Sequence, residues 1–147
     1  MTAVTPVFES SAGSVRFLSR IPSARTTAKL LGAGRIGLGS TFLLAPEFAV
    51  RAVGLDGATA RRVVWLSQMT AGRDIAIGVG TLISAARGRD ASAWVAAGAA
   101  ADAVDAAALA GAVRTGRLGG LRAVGMVGGA AAAALVGFWA AAGLRGR

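Results

Sequence analysis

Five residues combine chemically capable side chains with apolar surroundings: Arg35, Arg73, Asp74, Asp102 and Asp105. A central Arg or Asp costs about 2.5 to 3.5 kcal/mol to insert into hydrocarbon. Leaving Arg73, Asp74, Asp102 and Asp105 all unpaired would therefore cost roughly 10 to 14 kcal/mol. They must be paired, protonated or wetted. A guanidinium can fork two donors onto one carboxylate, so Arg73 satisfies one aspartate and Arg35 a second. That leaves three aspartates against two arginines, and one carboxyl of Asp74, Asp102 and Asp105 is a candidate to hold a proton at neutral pH, since desolvation and like charge both favour the neutral form. A protonated aspartate beside a guanidinium is a general acid with an electrostatic stabiliser. The competing expectation is a fastener, in which the same ion network only fixes how helices pair. Intramembrane ionisable residues are functional candidates by default.

The elements that must position these residues are four apolar segments, each judged against the roughly 20 residues that cross about 30 Å of hydrocarbon. The first covers residues 28–45 and stops at Pro46, which cannot continue a helix. PEFAVRAVGLDG follows as a short interfacial stretch holding Glu47, with Asp56 or Thr59 as cap of the next helix. The second segment covers 62–86, has Trp65 at interfacial depth, and ends in the turn RGRD. The third, 91–113, opens at Asp90 or Ser92. It is the weakest span, because alanine contributes little to insertion and two aspartates oppose it. The fourth, 121–144, contains AVGMVGGAAAAALVGFWAAAG without a charge.

At about 1.5 Å of rise per residue, Arg73 lies about 12 Å in from one face, and Asp102 and Asp105 about 15 and 20 Å in from the other. They share a middle layer. Asp102 and Asp105, three apart, project from one side of their helix. Arg35 starts nearer the surface, and its long side chain can extend inward to the cluster or snorkel outward. Ser67, Gln68 and Thr70, one turn from Arg73, are candidates for the same cavity or for hydrogen bonds to backbone carbonyls alone.

Composition agrees with a bilayer as solvent: 54% of residues are hydrophobic, only 16% are charged against about 25% in ordinary domains, and mean hydropathy is +0.61. Cysteine and histidine are absent, which excludes disulfides, thiolate nucleophiles, Cys/His zinc sites and imidazole acid–base chemistry. The net charge of +9 is scattered between apolar runs without a basic stripe, so nucleic acid is not an expected partner. Gly32, Gly34 and Gly37 match the G-x-G-x-x-G dinucleotide spacing, but no strand precedes them and they lie in a segment needed to span. No cofactor or metal is expected.

Residues 1–27 are expected to be a polar tail, with SVRFLSR as a basic stretch able to lie on a membrane surface, and 28–147 a four-span bundle. Two ridges of small residues favour close packing in lipid: Gly72, Ala76, Gly80 and Ser84, and Gly125, Gly129, Ala133, Gly137 and Ala141. They serve packing within the bundle, or a homodimer or membrane-protein partner. Arg16, Arg20, Arg25, Lys29, Arg87, Arg89, Arg145 and Arg147 outnumber Arg51, Arg61, Arg62, Arg114, Arg117 and Arg122 on the opposite side, placing both termini in the cytoplasm.

The run GRIGLGSTFLLAPEFAVRAVGL, then GRDIAIGVGTL, an Asp-bearing alanine-rich helix and an uncharged last helix together resemble an uncharacterised family of small four-helix membrane proteins, over residues 28–144. The resemblance rests on Arg35 with its glycines, Pro46, Gly72, Arg73, Asp74, and Asp102 or Asp105. It implies a domain of unknown function and supplies no reaction.

The expected protein is therefore all-α, a four-helix transmembrane bundle in the cell membrane with lipid as its first partner. A membrane subunit or structural protein is the first functional expectation. A membrane enzyme of cyclase, isomerase or oxygenase type acting on an apolar small molecule is the second, and a proton-coupled small transporter the third.

Overall fold

The structure is a computed structural model, and it describes residues 22–52 and 54–146. Those residues form five helices: α1 (Ala24–Leu44), α2 (Pro46–Ala52), α3 (Gly57–Ala86), α4 (Ser92–Arg114) and α5 (Gly120–Arg145). No strand occurs among the described residues, so the three glycines of the dinucleotide spacing lie within α1 without a strand before them. The SVRFLSR stretch and the rest of residues 1–21 lie outside the described residues.

Local chemistry sets each boundary. Ser23 caps α1 by accepting the Thr26 N–H at 3.2 Å, so the helix begins before residue 28, with Ala24 and Thr27 buried. The tail boundary expected at 27/28 thus falls inside α1. Pro46 ends α1 and also opens α2 at the first helical position, where its missing N–H costs nothing. Asp56 caps α3, accepting the backbone N–H of Ala58 and of Thr59 and the Thr59 hydroxyl at 2.9, 3.0 and 2.6 Å. The Thr59 hydroxyl, then these amides, hold the Asp56 carboxyl below its ordinary pKa. Asp90 accepts from the Ser92 amide and hydroxyl at 2.8 and 2.7 Å, which lowers its pKa in the same way.

The α3–α4 turn closes as a Schellman motif. Gly88 sits at φ +66°, the Arg89 N–H reaches the Ser84 carbonyl at 2.9 Å, and the Gly88 N–H reaches Ala85 at 3.4 Å. The α4–α5 turn repeats it around Gly116.

Among the described residues, only α4 and α5 are both long and apolar enough to cross a membrane. This reverses one expectation: the alanine-rich third segment, expected to be the weakest, qualifies, because alanine still counts as apolar and the helix carries few charges. The first and second segments do not qualify. Their helices have the length, but Lys29 and Arg35 in α1, and Arg73 and Asp74 in α3, interrupt their apolar stretches.

α1 pairs most extensively with α3, and α4 with α5. Both pairs are antiparallel, because Gly32 meets Gly78 while Gly39 meets Ala71, and Ala99 meets Gly137 while Val95 lies with Ala140 and Ala141. The interior is made of small residues such as Ala28, Ala60, Ala99 and Ala140, whereas Leu44 (83% exposed), Leu121 (88%) and Leu135 (72%) point outward.

The close seam differs from the ridges expected in the sequence. On α3 it is Ala71 and Gly78, seven apart, that face Gly32 and Gly39; Gly72 and Ala76 are exposed, and Gly80 lies under the Trp94 ring. On α5, Gly137 and Ala141 pack inward, while Gly125 and Gly129 have nothing near them. A Cβ at Gly78 would stand 2.6 Å from the Gly32 carbonyl oxygen, a backbone atom that moves only with its helix. Gly78→Ala is therefore expected to destabilise the protein by about 1 to 3 kcal/mol. Gly72→Ala meets open space and is expected to be neutral or to stabilise by up to about 1 kcal/mol, as in any exposed helix interior. Unfolding midpoints of the two variants in one detergent test the pair; equal midpoints would refute the seam.

Candidate functional site

All five charged residues singled out in the sequence meet in one network. Arg35, from α1, donates through Nη1 to Asp74 Oδ1 at 2.8 Å and through Nη2 to Asp102 Oδ2 at 2.5 Å and the Gly98 carbonyl at 2.7 Å. Arg73 donates from Nη2 to Asp105 Oδ2 at 2.8 Å and from Nη1 to Asp105 Oδ1 at 3.4 Å, and reaches Asp74 Oδ1 at 3.3 Å. The order is Asp102, Arg35, Asp74, Arg73, Asp105. Three helices are joined by two guanidiniums, each bridging two carboxylates.

Sequence reasoning assigned each arginine one carboxylate; the sharing of Asp74 between them is the difference. Its reason is geometric, since Asp74 is on the turn of α3 that faces α1 while Arg73, its neighbour, faces α4. Gly98 was not singled out at all. A Cβ there would stand 2.8 Å from Arg35 Nε, so this glycine makes room for the guanidinium and offers its carbonyl as third acceptor. Its signal in the sequence, one glycine in an alanine run, carries no meaning until α1 is known to cross α4.

The two ends of the network differ in access. The Arg35 side chain is 12% exposed and that of Asp102 17%, and the space beside them amounts to only about 10 Å³, at the lower limit for one water. Trp94, stacked over Gly80, closes that side. Arg73 and Asp105 are 35% and 38% exposed. Asp74 and Asp105 form the polar end of a cavity of about 400 Å³, otherwise walled mainly by apolar residues such as Leu38, Phe42, Val50, Leu66, Leu109 and Met126. Ser67 and Thr70 also line it, but their hydroxyls donate to the Val64 and Leu66 carbonyls at 2.7 and 3.0 Å. Gln68 does not line it, and Glu47 stands exposed in the first turn of α2.

Two guanidiniums against three carboxylates leave the network a formal charge of −1 with every carboxylate ionised. The arginines occupy the space between the carboxylates, and no group of His, Cys, Asp or Glu suited to a metal ion occurs among the described residues. The arrangement brings two carboxylates, Asp74 and Asp105, both hydrogen-bonded to Arg73, to the wall of the cavity.

Fold and site together define an all-α protein with two helices of membrane-crossing length and apolarity, packed around a semi-buried arginine–aspartate network. No protein-family model, curated protein or solved structure matches the chain.

Proposed function

We propose that the chain is a multi-pass cell-membrane protein of four spans, α1, α3, α4 and α5, belonging to the family of small four-helix membrane proteins that its motifs resemble. In this reading it binds an apolar small molecule beside the ion network and catalyses a proton shift in it. The four-span reading is supported by the inverted distribution of side-chain size. Soluble proteins bury their large apolar residues, whereas here the interior is mostly alanine and glycine, with Val50 and Val95 the larger exceptions, and most large side chains such as Leu44, Leu121, Leu135 and Trp65 lie outside, as expected where lipid is the solvent and helices meet through small residues. Charge placement supports it too. Arg25, Lys29, Arg87, Arg89 and Arg145 gather at one end and Arg51, Arg61, Arg62, Arg114, Arg117 and Arg122 at the other, and among the described residues only the five network members lie between.

The observation that carries the functional reading is the apolar cavity ending in Asp74 and Asp105. A carboxylate at the end of this cavity can take a proton from one atom of a bound molecule as general base and return it at another as general acid. Such a shift needs no co-reactant, which singles out the isomerase or cyclase type. Arg73, 2.8 Å from Asp105, steadies the carboxylate in its charged phase, and Arg35 with Asp102 holds the assembly in place. Transport fits less well, since the network opens toward one end only and both arginines compete with a cation. The subunit reading keeps one favouring observation, the open face of Gly125, Gly128 and Gly129 on α5, which suits a second copy or a membrane partner.

Two measurements test the setting. The protein should stay in the pellet through a carbonate wash, and reporters fused at Thr5 and Gly146 should both report the cytoplasm. A folded protein recovered without detergent, or termini on opposite sides, would refute the four-span reading.

A further inference from the structure

The cavity at the network does not end in its apolar wall. Leu55, Leu109 and Met126 also line a second space of about 640 Å³ between the α2–α3 and α4–α5 connections, so the two spaces adjoin across these three side chains, and a molecule passing them would reach from Asp74 and Asp105 to that end of the bundle. The outer mouth holds three charged residues, Asp56, Arg117 and Arg122. Asp56 is committed to the α3 cap, accepting from Ala58, from Thr59 and from the Thr59 hydroxyl. Arg117 and Arg122 have no ion-pair partner among the described residues. Both are held by backbone design. The Arg117 N–H closes the Schellman turn on the Ala112 carbonyl at 2.9 Å. The aliphatic stem of Arg122 lies over Gly54, where a Cβ would stand 3.1 Å from Cδ and where φ is +105°. The polarity along this path is therefore carboxylate, apolar wall, then a mouth of two guanidiniums and one capping carboxylate, net positive by one charge.

We propose that the two adjoining spaces act as one groove and take an amphiphile with an anionic head and an apolar tail. The head is held by Arg117 and Arg122, and the tail runs past Leu109 and Met126 to Asp74 and Asp105. Guanidiniums favour a carboxylate or phosphate head through charge-assisted, forked hydrogen bonds. From Asp105 to the end of α4 at Arg114 the helix rises about 14 Å, which sets the least length of tail that reaches both ends. The apolar part of the groove, about 400 Å³, matches a small molecule rather than a diacyl lipid. This inference rests on the reading of the cavity as a ligand site and names its substrate class, with the reacting atoms at the tail end and the charge at the mouth.

The test is photolabelling of the full chain in zwitterionic nanodiscs with three probes that carry a photoreactive group at the tail end: dodecanoate, dodecanol and dodecylammonium. Labelled peptides are mapped by mass spectrometry. Dodecanoate is expected to label the Asp105–Leu109 stretch about fivefold more than dodecanol, the ratio of a single exposed charge pair, and dodecylammonium least. Arg117→Gln with Arg122→Gln should bring dodecanoate down to the dodecanol level while leaving dodecanol labelling unchanged, which also shows that the variant is folded. Arg61→Gln, outside the groove, should change nothing. Equal labelling by dodecanoate and dodecanol, indifferent to the arginines, would overturn the anionic head and leave the cavity reading standing. Absence of cavity labelling by all three probes would overturn both. Full displacement of dodecanoate by phosphatidylglycerol would assign the groove to bilayer lipid and overturn the small amphiphile.

Discussion

Arg35→Ala is expected to destabilise the protein by about 3 to 5 kcal/mol, the cost of breaking a buried ion network from one side. Arg35 is the most enclosed member of the network, and its guanidinium serves three acceptors, Asp74, Asp102 and the Gly98 carbonyl. Its removal strands the Asp102 carboxylate and the Gly98 carbonyl at the end where almost no water can reach, and leaves Asp74 with Arg73 alone. Arg73→Ala should cost less, because Arg73 and Asp105 are each about a third exposed and water from the cavity can replace the lost donors. The double change Arg35→Leu with Asp102→Asn should recover stability relative to Arg35→Leu alone, since the stranded charge is removed with its partner. The measurement is an unfolding cycle in detergent on the four proteins. Coupling below about 0.5 kcal/mol between Arg35 and Asp102 would show that this pair does not hold the helices together.

The order of those two effects was hidden in the sequence, although the members of the network were not. Charge in an apolar run is visible from composition, and helical rise alone brings Arg73, Asp102 and Asp105 to one depth. Depth along an axis says nothing of rotation about it. Asp74 faces α1 and Arg73 faces α4, and that 100° step between neighbours decides which arginine is the enclosed one. The small-residue ridges failed for the same reason: a spacing of four marks one face of α3, whereas the face that meets α1 carries Ala71 and Gly78, seven apart. The short polar segments were more legible. Asp56, Pro46 and the RGRD turn act within a few residues of themselves, so their caps and stops need no tertiary partner. The cavity had no local signal, because its walls come from α1, α2, α3, α4 and α5 together.

Asp105→Asn separates a fastener from a working site, and is expected to leave the fold within about 1 kcal/mol of the parent while cutting turnover by about a hundredfold to ten-thousandfold. Asparagine has the shape of aspartate and keeps one carbonyl oxygen for Arg73, so the 2.8 Å contact to Nη2 has a replacement. What it loses is the ability to take and return a proton. The substitution also lowers the formal charge deficit, from three carboxylates against two guanidiniums to two against two, so a purely structural network should gain from it rather than suffer. Asp102→Asn makes the same change in charge at the closed end, where no bound molecule can reach, and should leave turnover within about tenfold of the parent, the size of a positioning effect. The readout is the metabolite profile of cells lacking the chain and complemented with each variant, beside the unfolding midpoint of the purified proteins. Complementation by Asp105→Asn as full as that by the parent would show that no proton passes through this carboxyl. Full complementation by both Asp102→Asn and Asp105→Asn, with midpoints at or above the parent's, would mean that the network is a fastener from end to end.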